Sequence, residues 1–577
     1  MADDVTTEPA TEHSAEPKAP QRKQPLDIWV KGLLALALIL GLALRLWGIG
    51  WGLPDARHPL ATYHPDEWIN LNAAEPVDIP HGKFDIGFYN YGTLYFYGVS
   101  LAETIGRGYG MIPTRPANAS LFSEEAAREK SALFLAGRLV TVLLGTATIA
   151  VLFALGNRMF GTKAGLLAAL LYAIAPLAVV HAHFLTVDVP ATFFVTLALL
   201  GAARLLTMPT WREYALAGIW VGLAAATKYN TGLVLIAPVV AHFLNLAPGM
   251  CRKHRAAQFV VLIAITLLTF LIACPGPIIN LDAFWDGLPN YPGSGVRYEL
   301  FEHSRLGHGD LFTNTGPGWW YHLMISLRFG LGVPLLLAAL VGIGVAFRQR
   351  TPADRVLLAF FLLYYLATGF SAVRFARYMI PLFPVLCLLT ARLFTDESLT
   401  WFKQLPRSLA AALVLGLTCG YTATLVHAMA VKDPRDAAAD YLEQNAPQGA
   451  SIAFGKIPWF YSPPLSTGFG LPAAPARYKA AAVVTRFHLQ MPAPDEPEWS
   501  LHALQPLPDY IVLSNLETLH PRRLHEAAEM QFEQAIPADY RRTEFDPPTI
   551  FDMSFGGSLV PEDLLYTLPH LTLYQKP

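Results

Sequence analysis

The feature that most limits this chain is a succession of apolar runs, each about long enough to cross a hydrocarbon layer, separated by short polar turns. The first extends from Ile28 to Trp47, with Arg22, Lys23 and Lys31 at its start and Arg45 near its end. Further runs fall at 134–157, 164–181, 189–207, 214–227, 231–248, 257–275, 323–346, 356–371, 376–394 and 408–430, which together with the first predict about eleven spans. Backbone in hydrocarbon must satisfy its own hydrogen bonds, so runs of this length read as helices. Residues are 53% hydrophobic and 15% charged, against roughly 25% charged in soluble domains. The fold class expected is an α-helical polytopic membrane protein.

Basic residues set the expected sidedness. The turns assigned to the cytoplasm hold Arg158 and Lys163, Arg204 and Arg212, Arg252, Lys253 and Arg255, Arg348, Arg350 and Arg355, and Lys403 and Arg407. That distribution satisfies the positive-inside rule with the N-terminus in and the C-terminus out, in a multi-pass protein of the inner (plasma) membrane. It holds only if Tyr89 to Tyr109 is interfacial, its tyrosines forming an aromatic belt. Residues 1–26 then form a disordered cytoplasmic tail, and 27–430 the membrane domain, with outer loops at 49–132 and 276–322. Residues 431–577 turn soluble and predict a small extracytoplasmic α/β domain, with helices at Asp436 to Gln444 and Pro521 to Phe532 and strands at Ser451 to Phe454, Asp509 to Ser514 and Leu571 to Tyr574.

A net charge of -2 without a Lys/Arg cluster argues against a nucleic-acid partner. Cys251, Cys274, Cys387 and Cys419 form no CxxC pair and read as buried spectators.

The chemistry is expected around Tyr63-His64-Pro65-Asp66-Glu67-Trp68 in the first outer loop. The topology gathers other costly polar groups at the same side: Arg138, the turn holding His181, His183 and Asp188, then Lys228-Tyr229-Asn230, and Arg374, Arg377 and Tyr378. Lys228, Arg138 and Arg377 suit a phosphate at the headgroup level, and a carboxylate beside them suits deprotonation of an acceptor. Plainer readings stand beside this one. Asp66-Glu67 after Pro65 fits a helix N-terminus, and Arg138 and Arg377 fit snorkelling cations. Asp66, His183 and Asp188 supply ligand types for a divalent metal ion, which stays open beside hydrogen-bonding histidines.

Asp66-Glu67, Ala136-Gly137-Arg138, Thr186-Val187-Asp188-Val189-Pro190, Gly222 to Tyr229 and Arg377-Tyr378-Met379-Ile380-Pro381 resemble, in this order, motifs of the GT-C glycosyltransferases. The likeness lies with the protein O-mannosyltransferase and aminoarabinose-transferase branch, family 39, and extends over roughly 28–430. The resemblance implies a GT-C bundle and a polyprenyl-phosphate sugar donor, transferred with inversion to a protein, lipid or glycan acceptor. It implies Asp66 as general base, with Glu67 and Asp188 completing the acidic set. Donor-phosphate contacts fall to Lys228, Arg138, Arg377 and Tyr378, and substrate contacts to His64, His183, Tyr229 and His303. The alternative class is a transporter or flippase of lipid-linked sugars, which would place charges near mid-bilayer in repeated, broken helices.

Overall fold

The computed structural model describes residues 27–245, 251–289, 293–303, 305, 309–399, 406–468, 485–493, 496–550 and 560–577. The expected disordered tail, 1–26, lies outside these residues. Every expected apolar run is largely helical in its described part: α1 (Ile28–Leu46), α4 (Glu124–Phe160), α5 (Thr162–Ala173) with α6 (Pro176–Val180), α7 (Asp188–Leu205), α8 (Trp211–Thr227), α9 (Ile236–Leu244), α10 (Arg252–Ala273), α11 (Val333–Gln349), α12 (Pro352–Gly369), α13 (Phe383–Thr395) and α14 (Arg407–Ala430). Among the described residues, six helices are long and apolar enough to cross a membrane. A seventh arises if α5 and the segment Pro176–His183, bent by 62° where Pro176 restarts the helix, count together. Tyr229–Leu244 and Val333–Gln349 are shorter apolar helices, so six or seven described segments have the length and apolarity of a span where about eleven were expected.

Small residues bring the helices close. A Cβ on Gly218 would lie 2.8 Å from the Leu262 carbonyl oxygen and one on Gly222 2.7 Å from that of Thr266, so α8 lies directly against the backbone of α10. This fixes the end of α8, where Lys228 is the C-cap residue.

The first loop carries two helices, α2 (Pro65–Ala74) and α3 (Leu94–Gly108), and a core of its own. The aromatic stretch departs from the expected belt. Tyr89, Tyr95 and Phe96 are buried with Val187, Ala226 and Phe284, and the Tyr89 hydroxyl donates to Asp85 at 2.7 Å. Cys251 also departs from expectation in being exposed, while Cys274 and Cys387 are buried.

After α14 comes α15 (Pro434–Asn445), then a five-stranded sheet in the order β2-β1-β3-β5-β4. β1 (Ser451–Phe454) runs parallel to both β2 (His488–Gln490) and β3 (Tyr510–Ser514), whereas β5 (Leu571–Gln575) is antiparallel to β3 and β4 (Arg541–Phe545). All five residues of β3 are buried, which makes it the centre of this unit. The expected helix at Pro521 to Phe532 is two, α16 (Asn515–Leu524) and α17 (Ala527–Gln534), because His525 turns left-handed at φ 55° between them.

α15 and the residue before it grip the first loop. The Trp51 indole donates to Asp433 at 3.0 Å, and the Arg435 guanidinium lies 3.9 Å from the centre of the Tyr63 ring. Arg435 also binds both oxygens of Asp433, and the Tyr63 hydroxyl donates to Asp436. Arg57 bonds Asp440 at 2.5 Å and Glu443 at 2.9 Å. The stretch leading into His64-Pro65-Asp66 is therefore held by residues nearly four hundred positions away.

Candidate active site

α2 begins as a sequence of this kind should. His64 is its N-cap, the Nδ1 atom accepting from the Asp66 amide at 3.2 Å, and Pro65 opens the first turn. Two acids follow in the turn that the helix dipole favours for negative charge. Their fates differ because successive helix positions point in directions about a quarter-turn apart.

Glu67 points inward and is fully buried. Arg138 Nε donates to its Oε1 at 2.8 Å and Arg138 Nη2 to its Oε2 at 2.7 Å, a bidentate pair. The Thr62 hydroxyl adds a bond to Oε2 at 2.6 Å, and the Leu185 amide one to Oε1 at 2.7 Å. Burial alone would raise the Glu67 carboxyl, but the Arg138 charge and its hydrogen bonds hold it below its ordinary value. Arg138 Nη1 donates to the carbonyls of Ile49 and Trp51 at 2.7 and 2.8 Å. Each nitrogen of this guanidinium is thus occupied and the residue is fully buried, which corrects the expectation of a phosphate contact. Together the pair ties the end of α1, the start of α2, α4 and the turn before α7.

Asp66 points the other way and keeps 26% of its side-chain surface open. Arg377 Nη2 lies 2.9 Å from its Oδ2. This arginine sits in the 3₁₀ turn Ala376–Leu382 ahead of α13, with its guanidinium 3.9 Å from the Phe375 ring centre and 5.8 Å from that of Tyr378. Lys228 Nζ lies 4.4 Å from the Tyr378 ring centre and 2.6 Å from Asp188 Oδ1, at the first residue of α7. Two ion pairs, Asp66 with Arg377 and Asp188 with Lys228, thus meet at one tyrosine.

Beside them is a cavity of about 200 Å³ lined by Lys228, Tyr378, Tyr229, Tyr91, Asn90, Asn230, Glu299 and His303, closed on an apolar side by Leu233 and Val373. The Tyr229 hydroxyl donates to the Tyr89 and Tyr91 carbonyls at 3.1 and 2.9 Å, so its ring, not its hydroxyl, is left for the cavity. His303 Nδ1 is 3.0 Å from Glu299 Oε2, and Asn90 Nδ2 donates to Glu299 Oε1 at 2.9 Å.

Two expected substrate contacts are not brought here. His183 has Nδ1 2.9 Å from the Val179 carbonyl and Nε2 3.0 Å from that of Trp47, so the N–H of the ring donates to one of these backbone oxygens and both nitrogens are packed against backbone. His64 is buried against Phe184 and Tyr566, and burial pushes its imidazole down to about 3, a neutral helix cap. With His183 engaged this way, the Asp66, His183 and Asp188 set does not fit a metal ion, and among the described residues no three His, Cys, Asp or Glu side chains form a ligand group.

One residue here escaped sequence reasoning. Asp563, in the short helix α18 (Glu562–Leu565) of the C-terminal unit, is 1% exposed. Its Oδ2 accepts from the Arg377 amide at 2.8 Å and lies 3.5 Å from Arg377 Nη1 and 3.6 Å from His181 Nε2. The signal available was local: Pro561-Glu562-Asp563 repeats the Pro65-Asp66-Glu67 pattern of a proline followed by two acids.

Comparison with known proteins bears out the likeness read from the motifs. Residues 131–274, which carry Arg138, Asp188 and Lys228, match the family model described as dolichyl-phosphate-mannose-protein mannosyltransferase. Over 365 residues the chain is 26% identical to undecaprenyl phosphate-alpha-4-amino-4-deoxy-L-arabinose arabinosyl transferase 1 of Pseudomonas fluorescens, covering 62% of this chain and 59% of that protein. It is 25% identical over 295 residues to an uncharacterized protein of Aquifex aeolicus, covering 50% of this chain and 56% of that protein. The chain therefore spans under two thirds of the length of either relative. Among solved structures it is similar to ArnT from Cupriavidus metallidurans bound to undecaprenyl phosphate (TM-score 0.46, 14% identity, 94% of this chain and 98% of that one). It is also similar to the oligosaccharyltransferase AglB of Archaeoglobus fulgidus (TM-score 0.48, 14% identity, 92% and 75%).

Proposed function

We propose that this chain is a membrane-embedded glycosyltransferase that moves a sugar from a polyprenyl phosphate to an acceptor at the extracytoplasmic face, inverting the anomeric centre. The observation that carries the reading is the partly open carboxylate of Asp66, ion-paired to Arg377 next to a cavity whose cation is Lys228. A base and a phosphate-binding cation must stand close together but not neutralise each other, and here each has a separate partner. The relative from Pseudomonas fluorescens, named for an undecaprenyl-phosphate donor, agrees with a lipid phosphate as leaving group.

In this reading the donor phosphate comes to Lys228 and the Tyr378 hydroxyl, leaving Asp188 to hold the lysine in place. Arg377 offers further positive charge on the far side of the tyrosine. The acceptor hydroxyl or amine gives its proton to Asp66 as it attacks the anomeric carbon, while the carbon–oxygen bond to the phosphate breaks and the lipid phosphate leaves with that electron pair. Tyr91, Tyr229 and Tyr378 supply rings against which a sugar packs, with Asn230 and His303 for its hydroxyls. Glu67 and Arg138 act behind this surface by fixing the start of α2.

The test uses purified protein and undecaprenyl-phosphate-linked mannose, glucose, arabinose and aminoarabinose. Release of sugar is expected from at least one of them with wild type and from none with Asp66→Asn, at unchanged thermal stability. Full transfer by Asp66→Asn would remove Asp66 as the base.

A further inference from the structure

We infer that Asp563, supplied by the C-terminal unit, is a positioning residue of the membrane site: it holds the Arg377 guanidinium off part of Asp66 so that the base stays free to take a proton. The inference rests on the reading of Asp66 as base and extends it to a residue more than four hundred positions away in sequence.

The geometry is a shared cation. Arg377 turns one terminal nitrogen, Nη2, to Asp66 Oδ2 at 2.9 Å and the other, Nη1, to Asp563 Oδ2 at 3.5 Å. Asp563 Oδ2 also accepts from the Arg377 backbone amide at 2.8 Å, so the carboxylate anchors the root of the side chain by a hydrogen bond and draws its tip by charge alone, Nη1 having no hydrogen-bond partner among the described residues. An arginine fork facing a lone carboxylate closes on both of its oxygens, as Arg138 does on Glu67 at 2.8 and 2.7 Å. Arg377 does not do so, and the Asp66 carboxylate keeps 26% of its surface open. The two arginines give the contrast within one molecule: one carboxylate is clamped and buried, the other half-held and open.

The surroundings of Asp563 do not suit a stability role. Its carboxyl is almost wholly buried, its Oδ1 has no hydrogen-bond partner among the described residues, and neither has either ring nitrogen of His181, whose Nε2 lies 3.6 Å from Oδ2. Burial pushes the Asp563 carboxyl up to about 6, the nearby Arg377 charge offsetting only part of that cost. A buried carboxylate kept at such a cost, with partners left unmet, is expected where function requires it. Asp563 also accounts for the attachment of the C-terminal unit at this point: its helix brings one acid to the reacting end of the bundle, while the neighbouring Glu562 faces His520 at 3.7 Å.

The experiment compares Asp563→Asn, Asp563→Glu and Asp66→Asn. Each variant is expressed in a deletion strain of the native host, where the glycan, lipid or protein product lost on deletion is quantified by mass spectrometry at matched protein levels. Each is also purified for kinetics with the undecaprenyl-phosphate sugar that wild type turns over. Asp563→Asn is expected to lower kcat by about 100-fold, the scale of a misplaced reacting group, with KM for the donor within about twofold and the melting temperature at pH 7.5 unchanged or higher. Asp563→Glu is expected to recover most of the product signal. Wild-type product and kcat in Asp563→Asn, with Asp66→Asn inactive, would overturn this inference and leave the base standing. A melting temperature lowered in Asp563→Asn in proportion to its loss of product, with no recovery by Asp563→Glu, would overturn it by making the residue structural. Wild-type activity in Asp66→Asn would overturn the base assignment, and this inference with it.

Discussion

Glu67 is adjacent in sequence to the proposed base, yet the geometry gives it a different duty, and Glu67→Gln separates the two. The carboxylate accepts from Arg138 Nε and Nη2, the Thr62 hydroxyl and the Leu185 amide, all without solvent. A glutamine keeps the shape but has one acceptor oxygen, and its NH₂ group would face donors where the second oxygen stood. Arg138 would keep the Ile49 and Trp51 carbonyls but lose its countercharge at 0% exposure. Breaking one side of a buried pair costs about 3–5 kcal/mol, a large part of the roughly 5–15 kcal/mol that holds a typical protein folded. Glu67→Gln should therefore lower the yield of folded protein and drop the apparent melting temperature by several degrees, read by heating detergent-solubilised protein and following the monodisperse fraction. The double variant Glu67→Leu/Arg138→Met, which removes both charges, should recover part of the loss. A Glu67→Gln protein that melts like wild type but transfers no sugar would refute the structural reading and make Glu67 a reacting group.

The same geometry gives four further expectations. Lys228→Gln should weaken binding of undecaprenyl phosphate by about tenfold or more, on the scale of a lost charge-assisted hydrogen bond, in a titration followed by tryptophan fluorescence. Gly92→Ala should destabilise by about 1–3 kcal/mol because its Cβ would lie 2.0 Å from the Ala226 carbonyl oxygen, whereas Gly50→Ala, with nothing within 4 Å, should be silent in the same melt. Asp563 has a folded pKa of about 6 above its ordinary 3.8, so the stability it lends is full below about pH 4 and lost as pH rises through about 6. The melting temperature of Asp563→Asn should therefore climb relative to wild type between those limits, by up to about 3 kcal/mol in free energy, and a flat difference curve would contradict this. Reporter fusions after residues 70 and 230 should place both on the extracytoplasmic side, and opposite sides would end the proposed site.

What the sequence made legible is what depends on neighbours along the chain. Each apolar run located by hydropathy is largely helical, since burial in hydrocarbon or in the bundle asks for the same apolar composition over 10–20 residues. His64-Pro65-Asp66-Glu67 was readable as a helix start and is one. The aromatic belt was misjudged where the first loop builds its own core, a tertiary choice that places Tyr89 beside Phe284, and Cys251 was misjudged because it caps the exposed start of α10 instead of lying within it. The site was legible in its residue types and not in its pairings. Arg138 and Arg377 look alike in sequence, each near an end of an apolar run, and a snorkelling reading fits both equally. Only the fold sends Arg138 to Glu67 and Arg377 to Asp66, because adjacent positions of α2 face different sides. The unequal span lengths have a similar origin, since Pro176 and the 3₁₀ turns at Tyr229–Leu235 and Ala376–Leu382 break continuous apolar runs where polar side chains are needed.

Those breaks also explain how charge is kept at this end of the bundle. Three acids, Asp66, Asp188 and Asp563, stand with two bases, Arg377 and Lys228, so the fully ionised set carries one excess negative charge. An anionic lipid phosphate entering such a set would be repelled unless a cation could meet it without leaving its acid. Lys228 can, because its Nζ, 2.6 Å from Asp188, also lines the cavity and can turn its other hydrogens to a phosphate while keeping that bond. An arginine in its place would offer a planar fork suited to closing on Asp188 alone, so Lys228→Arg is not a conservative change here even though it preserves charge. In the proposed site the lysine, a three-donor point charge, would serve the carboxylate and the incoming phosphate together, so that donor binding adds to an existing ion pair instead of breaking one.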